Sequence, residues 1–304
     1  MSDYIFHDDR FKQLVIFHAR LEKLWTGGRW VEGPVYVPAA KSLLWSDIPN
    51  DRVMRYDECD GSVSVFERPC GFHNGHTLDH QGRVIACEHG GRRISRLDHD
   101  GVWRGLVDRV DGKRFNSPND VVVHSDGSIW FTDPTYGIDS HYEGKRATSE
   151  LEGSYVYRFD PETGTVEAMI RDRLRPNGLA FSPDETILYV ADTGATHVLD
   201  HPVTIEAYPI GPDGRPGKGS TFATSPAGLF DGFRVDGEGN VWTSTARGVS
   251  VYAADGSHLG EIPVPELVSN LTFGGAKRNR LYITGQTSIY AIYVNAHGAG
   301  FEDA

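Results

Sequence analysis

The stretch Gly127-Ser128-Ile129-Trp130-Phe131-Thr132-Asp133 opens on a turn residue, runs through four β-branched or aromatic residues and stops at a turn-forming aspartate. That is the composition of a short strand buried on both faces. The phrase recurs as Ser42-Leu43-Leu44-Trp45-Ser46-Asp47, Gly82-Arg83-Val84-Ile85-Ala86-Cys87, Thr186-Ile187-Leu188-Tyr189-Val190-Ala191-Asp192, Gly239-Asn240-Val241-Trp242-Thr243-Ser244 and Asn279-Arg280-Leu281-Tyr282-Ile283-Thr284. The spacing is roughly 40 to 60 residues, the length of one four-stranded propeller blade.

A second short run follows most of these phrases: Val53-Met54-Arg55-Tyr56-Asp57, Ile94-Ser95-Arg96-Leu97-Asp98, Tyr155-Val156-Tyr157-Arg158-Phe159-Asp160 and Val249-Ser250-Val251-Tyr252. Each leads into a hairpin signal, Asp60-Gly61, Asp100-Gly101, Glu162-Thr163-Gly164 or Asp255-Gly256. Six such repeats use up most of the 304 residues. The fold class expected is therefore all-β, a six-bladed β-propeller around a central metal-binding tunnel. A two-sheet β-sandwich has a similar number of strands but no reason to repeat one phrase. Residues 1–20 read as an N-terminal extension and 21–304 as a single propeller domain. The segment from Arg10 to Leu24 is compatible with a helical turn at its start. Its end, Leu21-Glu22-Lys23-Leu24, suits the strand that closes the ring on the last blade, because an open propeller exposes sheet edges. Asp139 to Glu152 is a polar insertion without turn signals inside the third repeat, and loops of this kind are as a rule functional or mobile.

The hydrophobic content of 39% and charged content of 24% suit a globular chain with an adequate core, and no run of apolar residues is long enough to cross a membrane. Met1-Ser2-Asp3-Tyr4 lacks the basic start and apolar run of a secretory signal, so a cytoplasmic location is expected. Cys59, Cys70 and Cys87 are odd in number and form no CxxC, which argues against a disulfide framework or a zinc-thiolate site and for free thiols. A net charge of −12 excludes nucleic acid and anionic membrane as natural partners. An acidic chain can, however, hold a cation.

In a propeller the innermost strands surround one axis, so polar residues at their starts converge. Four interrupt apolar contexts: Glu32 in Trp30-Val31-Glu32-Gly33-Pro34-Val35-Tyr36, Asn119 in Ser117-Pro118-Asn119-Asp120-Val121-Val122, Asn177 in Arg175-Pro176-Asn177-Gly178-Leu179-Ala180-Phe181 and Asp231 in Phe230-Asp231-Gly232-Phe233-Arg234-Val235. Two carboxylates and two amide carbonyls make an all-oxygen cage for one divalent ion. Hard donors favour Ca²⁺, with Mg²⁺ or Mn²⁺ next and Zn²⁺ if in excess. Taken singly, Pro-Asn-Gly and Asp-Gly are also ordinary turn dipeptides.

At these segments the chain resembles the gluconolactonase branch of the SMP-30/gluconolactonase/luciferin-regenerating-enzyme family. The likeness is carried by Glu32-Gly33-Pro34-Val35-Tyr36, Cys87-Glu88-His89-Gly90-Gly91-Arg92-Arg93, Asn116-Ser117-Pro118-Asn119-Asp120-Val121-Val122-Val123, Ile129-Trp130-Phe131-Thr132-Asp133-Pro134-Thr135-Tyr136-Gly137, Pro176-Asn177-Gly178-Leu179-Ala180-Phe181-Ser182-Pro183-Asp184 and Asp231-Gly232-Phe233-Arg234-Val235-Asp236. The resemblance implies a six-bladed propeller with one catalytic divalent ion on Glu32, Asn119, Asn177 and Asp231. It further implies hydrolysis of a sugar lactone such as glucono-1,5-lactone. The ion would polarise the lactone carbonyl and Asp231 would act as general base, or as nucleophile, the role assigned to the matching Asp in phosphotriesterase-like propellers. Asn116, Arg114, His76, His89 and Tyr136 are candidate substrate contacts. His73, His76 and His89 read equally as satisfied tunnel or core histidines. Arg92-Arg93 reads as a solvated strand end, and Asp47, Asp133 and Asp192 as turn caps. Another ester or phosphotriester hydrolase on the same cage, or a non-catalytic calcium-binding propeller, are the competing readings. Oligomeric state is not written in the sequence.

Overall fold

The structure is a computed structural model that describes residues 4–300; Met1-Ser2-Asp3 of the N-terminal reading lie outside the described residues. Six antiparallel sheets follow one another around a ring. From the tunnel outward, blade 1 runs Val31–Val37, Ser42–Asp47, Arg52–Asp57, Val63–Glu67, and blade 2 runs His73–Leu78, Val84–Glu88, Arg93–Leu97, Trp103–Val107. Blade 3 consists of Val121–Val123, Ile129–Thr132, Val156–Phe159 and Val166–Ile170, and blade 4 of Pro176–Phe181, Ile187–Asp192, Thr204–Pro209 and Ser220–Thr224. Blade 5 has Phe233–Val235, Val241–Thr245, Gly248–Tyr252 and His258–Pro263; blade 6 has Val268–Gly274, Arg280–Gly285 and Ser288–Tyr293.

The repeated phrases are the second strands. They are apolar over most of their length because each is covered on both faces by neighbouring blades, and Trp45, Trp130, Tyr189, Trp242 and Tyr282 are fully buried there. The outermost strands of blades 1 and 2 are largely open to water, with Ser64 and Val65 exposed in one and Arg104 and Gly105 in the other. Burial thus falls with distance from the tunnel, and the aromatic residues between blades form the core.

The ring closes as its edge chemistry requires. Glu22–Thr26 pairs antiparallel with Ser288–Tyr293, Glu22 opposite Ala291 and Thr26 opposite Ser288, so the N-terminal strand completes blade 6. Preceding it, Phe11–Leu14 is one helical turn whose Phe11 is fully buried in the core of blades 5 and 6. Ile5–Phe6 adds a fifth strand to blade 5, against His258–Pro263. Residues of the 1–20 segment therefore pack on the ring. No helix among the described residues is long and apolar enough to cross a membrane. Cys59, Cys70 and Cys87 are free thiols.

Candidate functional site

Glu32, Asn74, Asn119, Asn177, Asp231 and Ser269 stand at or just before the starts of the six inner strands. Direct backbone bonds link neighbouring positions in the ring. Gly75 N donates to Asn119 O at 2.8 Å, Gly178 N to Asp231 O at 2.9 Å and Gly232 N to Ser269 O at 2.7 Å. Ser269 Oγ completes the circuit toward blade 1 by donating to Val31 O at 2.6 Å. Blades 1 and 2, and blades 4 and 5, approach so closely that the residues after Glu32 and Asn177 must be glycine. A Cβ on Gly33, whose φ is +56°, would lie 1.9 Å from Asn74 O, and one on Gly178 would lie 2.3 Å from Asp231 O. The inner strands of blades 1, 2 and 4 are irregular here, with register shifts between Glu32 and Val35, His73 and His76, and Pro176 and Leu179. Such bulges re-aim side chains, here toward the axis.

The result is a cavity of about 280 Å³. Glu32, Asn74, Asn119, Asn177, Asp231 and Glu143 line its depth; Tyr136, Thr193 and Thr196 line one wall, with Trp30, Ile48, Leu229 and Leu267 among the apolar residues around it. All four residues read from sequence as an oxygen cage thus meet in one cavity. Glu32, Asn119 and Asn177 are buried, while Asp231 is partly open.

The electrostatics explain what such a site wants. Glu32 Oε2 accepts from Asn270 Nδ2 at 2.9 Å, and its carboxyl is pushed up chiefly by burial, with Asp120 adding to the rise and the bonds from Asn270 and Gly33 opposing it. Asp231 is pushed well above the usual carboxylate range by burial, then by the charges of Glu32, Glu143 and Asp120. Asp120 is itself raised by burial, offset by Arg234, whose Nη1 is 3.4 Å away. Glu32, Asp120 and Asp231 carry three negative charges when ionised, and the guanidinium of Arg234 supplies one positive charge. With Glu143 protonated the deficit is two, which one divalent cation would neutralise; ionised, Glu143 adds a further negative charge. With Glu32, Asn119, Asn177 and Asp231 as oxygen donors and no sulfur or imidazole on the lining, the donor set fits a hard divalent ion.

The remaining candidates divide. Tyr136 is on the lining, its hydroxyl bonded to Thr193 Oγ1 at 2.7 Å and Thr196 Oγ1 at 2.9 Å. His89 lies one step behind, between Asn74 Nδ2 at 3.2 Å and Glu143 O at 3.0 Å. Burial pulls its pKa down to about 4, so it is neutral, with Nδ1–H donating to Glu143 O and Nε2 accepting from Asn74. Asn116, Arg114 and His76 are placed off the cavity lining, and each has a polar atom bonded elsewhere, although Arg114 Nε is buried without a partner. Asn116 Nδ2 donates to Asp133 O and Gly153 O, both at 3.1 Å, Arg114 Nη2 donates to Gly91 O at 2.7 Å, and His76 Nδ1 donates to Gly33 O at 2.8 Å. Arg92 is corrected: it is buried, not solvated, its Nε donating to Phe115 O at 2.6 Å after a turn with φ +54°. Asp133 and Asp192 do more than cap turns. They accept from Asn116 N and Ser117 N, and from Leu174 N and Arg175 N, at 2.8 to 2.9 Å, fastening the chain entering each blade to the end of its second strand.

Among the polar lining residues, Asn74, Glu143, Thr193, Thr196 and Thr245 escaped the sequence reading. Asn74-Gly75 repeats the residue-then-glycine pattern of Glu32-Gly33, Asn177-Gly178 and Asp231-Gly232, a signal that could have found Asn74. Glu143 has no local signal. It lies in the polar insertion, which Lys145 N to Gly137 O at 3.0 Å, Ala147 N to Ile138 O at 3.1 Å and the bond from His89 fold over the cavity. Its carboxyl is raised to about 7 by burial and by Asp139.

Comparison with known proteins agrees with this architecture. Residues 30–287 match the SMP-30/Gluconolactonase/LRE-like region. A gluconolactonase of Zymomonas mobilis is 32% identical over 294 residues, covering 89% of this chain and 80% of that protein. The solved structure of a gluconolactonase from Xanthomonas campestris superposes with a TM-score of 0.89 at 40% identity, covering 96% of this chain and 94% of that one. Regucalcin of Agrobacterium tumefaciens, described as a calcium-binding protein, shares the fold at a TM-score of 0.74 and 21% identity, over 92% of this chain and 95% of that one. The chain belongs to the SMP-30/gluconolactonase/LRE-like family.

Proposed function

We propose that this protein is a divalent-metal-dependent hydrolase that opens a sugar lactone such as glucono-1,5-lactone to its aldonic acid. The observation that carries the reading is the cavity's charge deficit of two with Glu143 protonated, built from Glu32, Asp120 and Asp231 against Arg234, beside a space of about 280 Å³ just under the roughly 300–1,000 Å³ range of ligand pockets. Glu32, Asn119, Asn177 and Asp231 would hold the ion, Ca²⁺ by donor hardness, which when bound supplies Lewis-acid polarisation of an ester carbonyl.

The chain's own groups complete the reaction. Asp231 accepts the proton of the attacking water as that oxygen bonds the lactone carbonyl carbon. Coordination lowers a carboxylate's basicity, but a strained ester needs only a weak base. Glu143, held protonated near neutrality, donates its proton to the ring oxygen as the C–O bond breaks, so the leaving group departs as a hydroxyl. Tyr136, Thr193, Thr196 and the Asn74 amide face the sugar hydroxyls, and Trp30, Ile48, Leu229 and Leu267 limit water.

A pH-stat assay of glucono-1,5-lactone opening tests this directly. Activity abolished by chelator and restored by one added divalent ion is expected. Turnover that persists after exhaustive chelation would refute the metal-dependent mechanism, and no turnover with any ion on any aldonolactone would refute the substrate class.

A further inference from the structure

On the outer edge of blade 5, far from the tunnel in the sheet order, the added strand Ile5–Phe6 brings His7 beside His258 and Glu261. His7 N and Asp8 N both donate to Leu259 O at 3.0 Å, which fixes the approach of residue 7. The His7 and His258 rings lie 4.3 Å apart, and His258 is oriented by stacking on Tyr252 at 4.5 Å and 15°. His7 Nε2 is 3.2 Å and His258 Nε2 4.0 Å from Glu261 Oε1, and one donor atom from each of the three residues fits within 4.8 Å of the others.

The cluster is incompletely satisfied. Glu261 is 2% exposed, yet its Oε2 has no hydrogen-bond partner, and His258 Nε2 has none either. Oε1 is shared between His7 and the Arg247 guanidinium, whose Nη2 is 2.8 Å away. Orphaned buried polar atoms destabilise the fold unless something binds them. Arg247 has half its side chain in solvent and can move aside.

We infer that His7, His258 and Glu261 form a second metal site, for a borderline dication such as Zn²⁺, that clips the N-terminal strand to blade 5. Two imidazoles and a carboxylate are a zinc donor set, with a fourth position open to water. Tetrahedral bonds of about 2.0–2.1 Å place neighbouring donors about 3.3 Å apart, so His7 and Glu261 already stand at ligand spacing and His258 must move closer to both. Nitrogen donors separate this site from the oxygen cage, which prefers a harder ion. The ion would join residues 254 positions apart in sequence and hold the added strand in place.

The test is titration of Zn²⁺ by calorimetry into protein whose central cage is kept saturated with Ca²⁺. One additional Zn²⁺ per chain is expected in the wild type, with affinity at least tenfold weaker in His7→Ala and in His258→Gln. Hydrogen exchange at the His7 and Asp8 amides should slow on Zn²⁺ addition in the wild type alone. Calcium-supported lactone turnover should be unchanged in His7→Ala, whose solvent-facing position keeps folding out of question. No extra zinc in the wild type, or zinc affinity in both variants equal to that of the wild type, would overturn the assignment.

Discussion

Replacing Glu143 by glutamine separates the electrostatic and chemical parts of the argument. Its carboxyl rises from 4.5 to about 7 through burial and the neighbouring charge of Asp139. At 1.36 kcal/mol for each tenfold change in proton affinity, that rise costs the folded state roughly 3 kcal/mol once the group is ionised. Because the folded value lies above the unfolded one, the stability is present below about 4.5, is lost as pH climbs to about 7, and stays lost above. For 304 residues, at about 2.1 cal/mol/K of unfolding entropy each, roughly 3 kcal/mol is about 5 °C in Tm. Glutamine cannot ionise. In chelated protein, calorimetry should show Glu143→Gln melting with the wild type at pH 4.5 and about 5 °C above it at pH 8. In metal-loaded protein the same variant should lose about 10²-fold in kcat, the usual worth of a positioned proton donor. Parallel Tm curves for the two proteins across this range would refute the buried-carboxyl reasoning, and an unchanged kcat would remove Glu143 from the chemistry.

Asp231→Asn should reduce kcat by about 10²–10⁴-fold at saturating metal, and retention of most turnover would end both its base and its nucleophile assignment. Gly33→Ala places a methyl 1.9 Å from the Asn74 carbonyl at a φ of +56°. Overpacking and the left-handed backbone together should cost more than about 3 kcal/mol. A melting temperature within a degree of wild type would contradict the close approach of blades 1 and 2.

The self-similar phrases made the second strands readable without coordinates, because a strand enclosed by two neighbours must be apolar on both faces and six blades impose this six times. The closing strand at Glu22–Thr26 was readable for a related reason: an open ring leaves a sheet edge unpaired. Glu32, Asn119, Asn177 and Asp231 stood out as polar interruptions in apolar runs, and the structure lines one cavity with all of them. What local sequence could not decide is direction. Asn116 and Tyr136 flank the same second strand, yet Asn116 turns into the anchor of Asp133 and Gly153 while Tyr136 reaches the cavity. Glu143 enters the site because His89, from another blade, holds its loop by donating Nδ1–H to the Glu143 backbone carbonyl. His7 meets Glu261 only because the chain's first strand is added to the fifth blade. Periodicity and residue type specify which segments pair and bury, since those are properties of short windows. The meeting of side chains across blades depends on bulges, inter-blade contacts and loop paths, which exist only once the ring is closed.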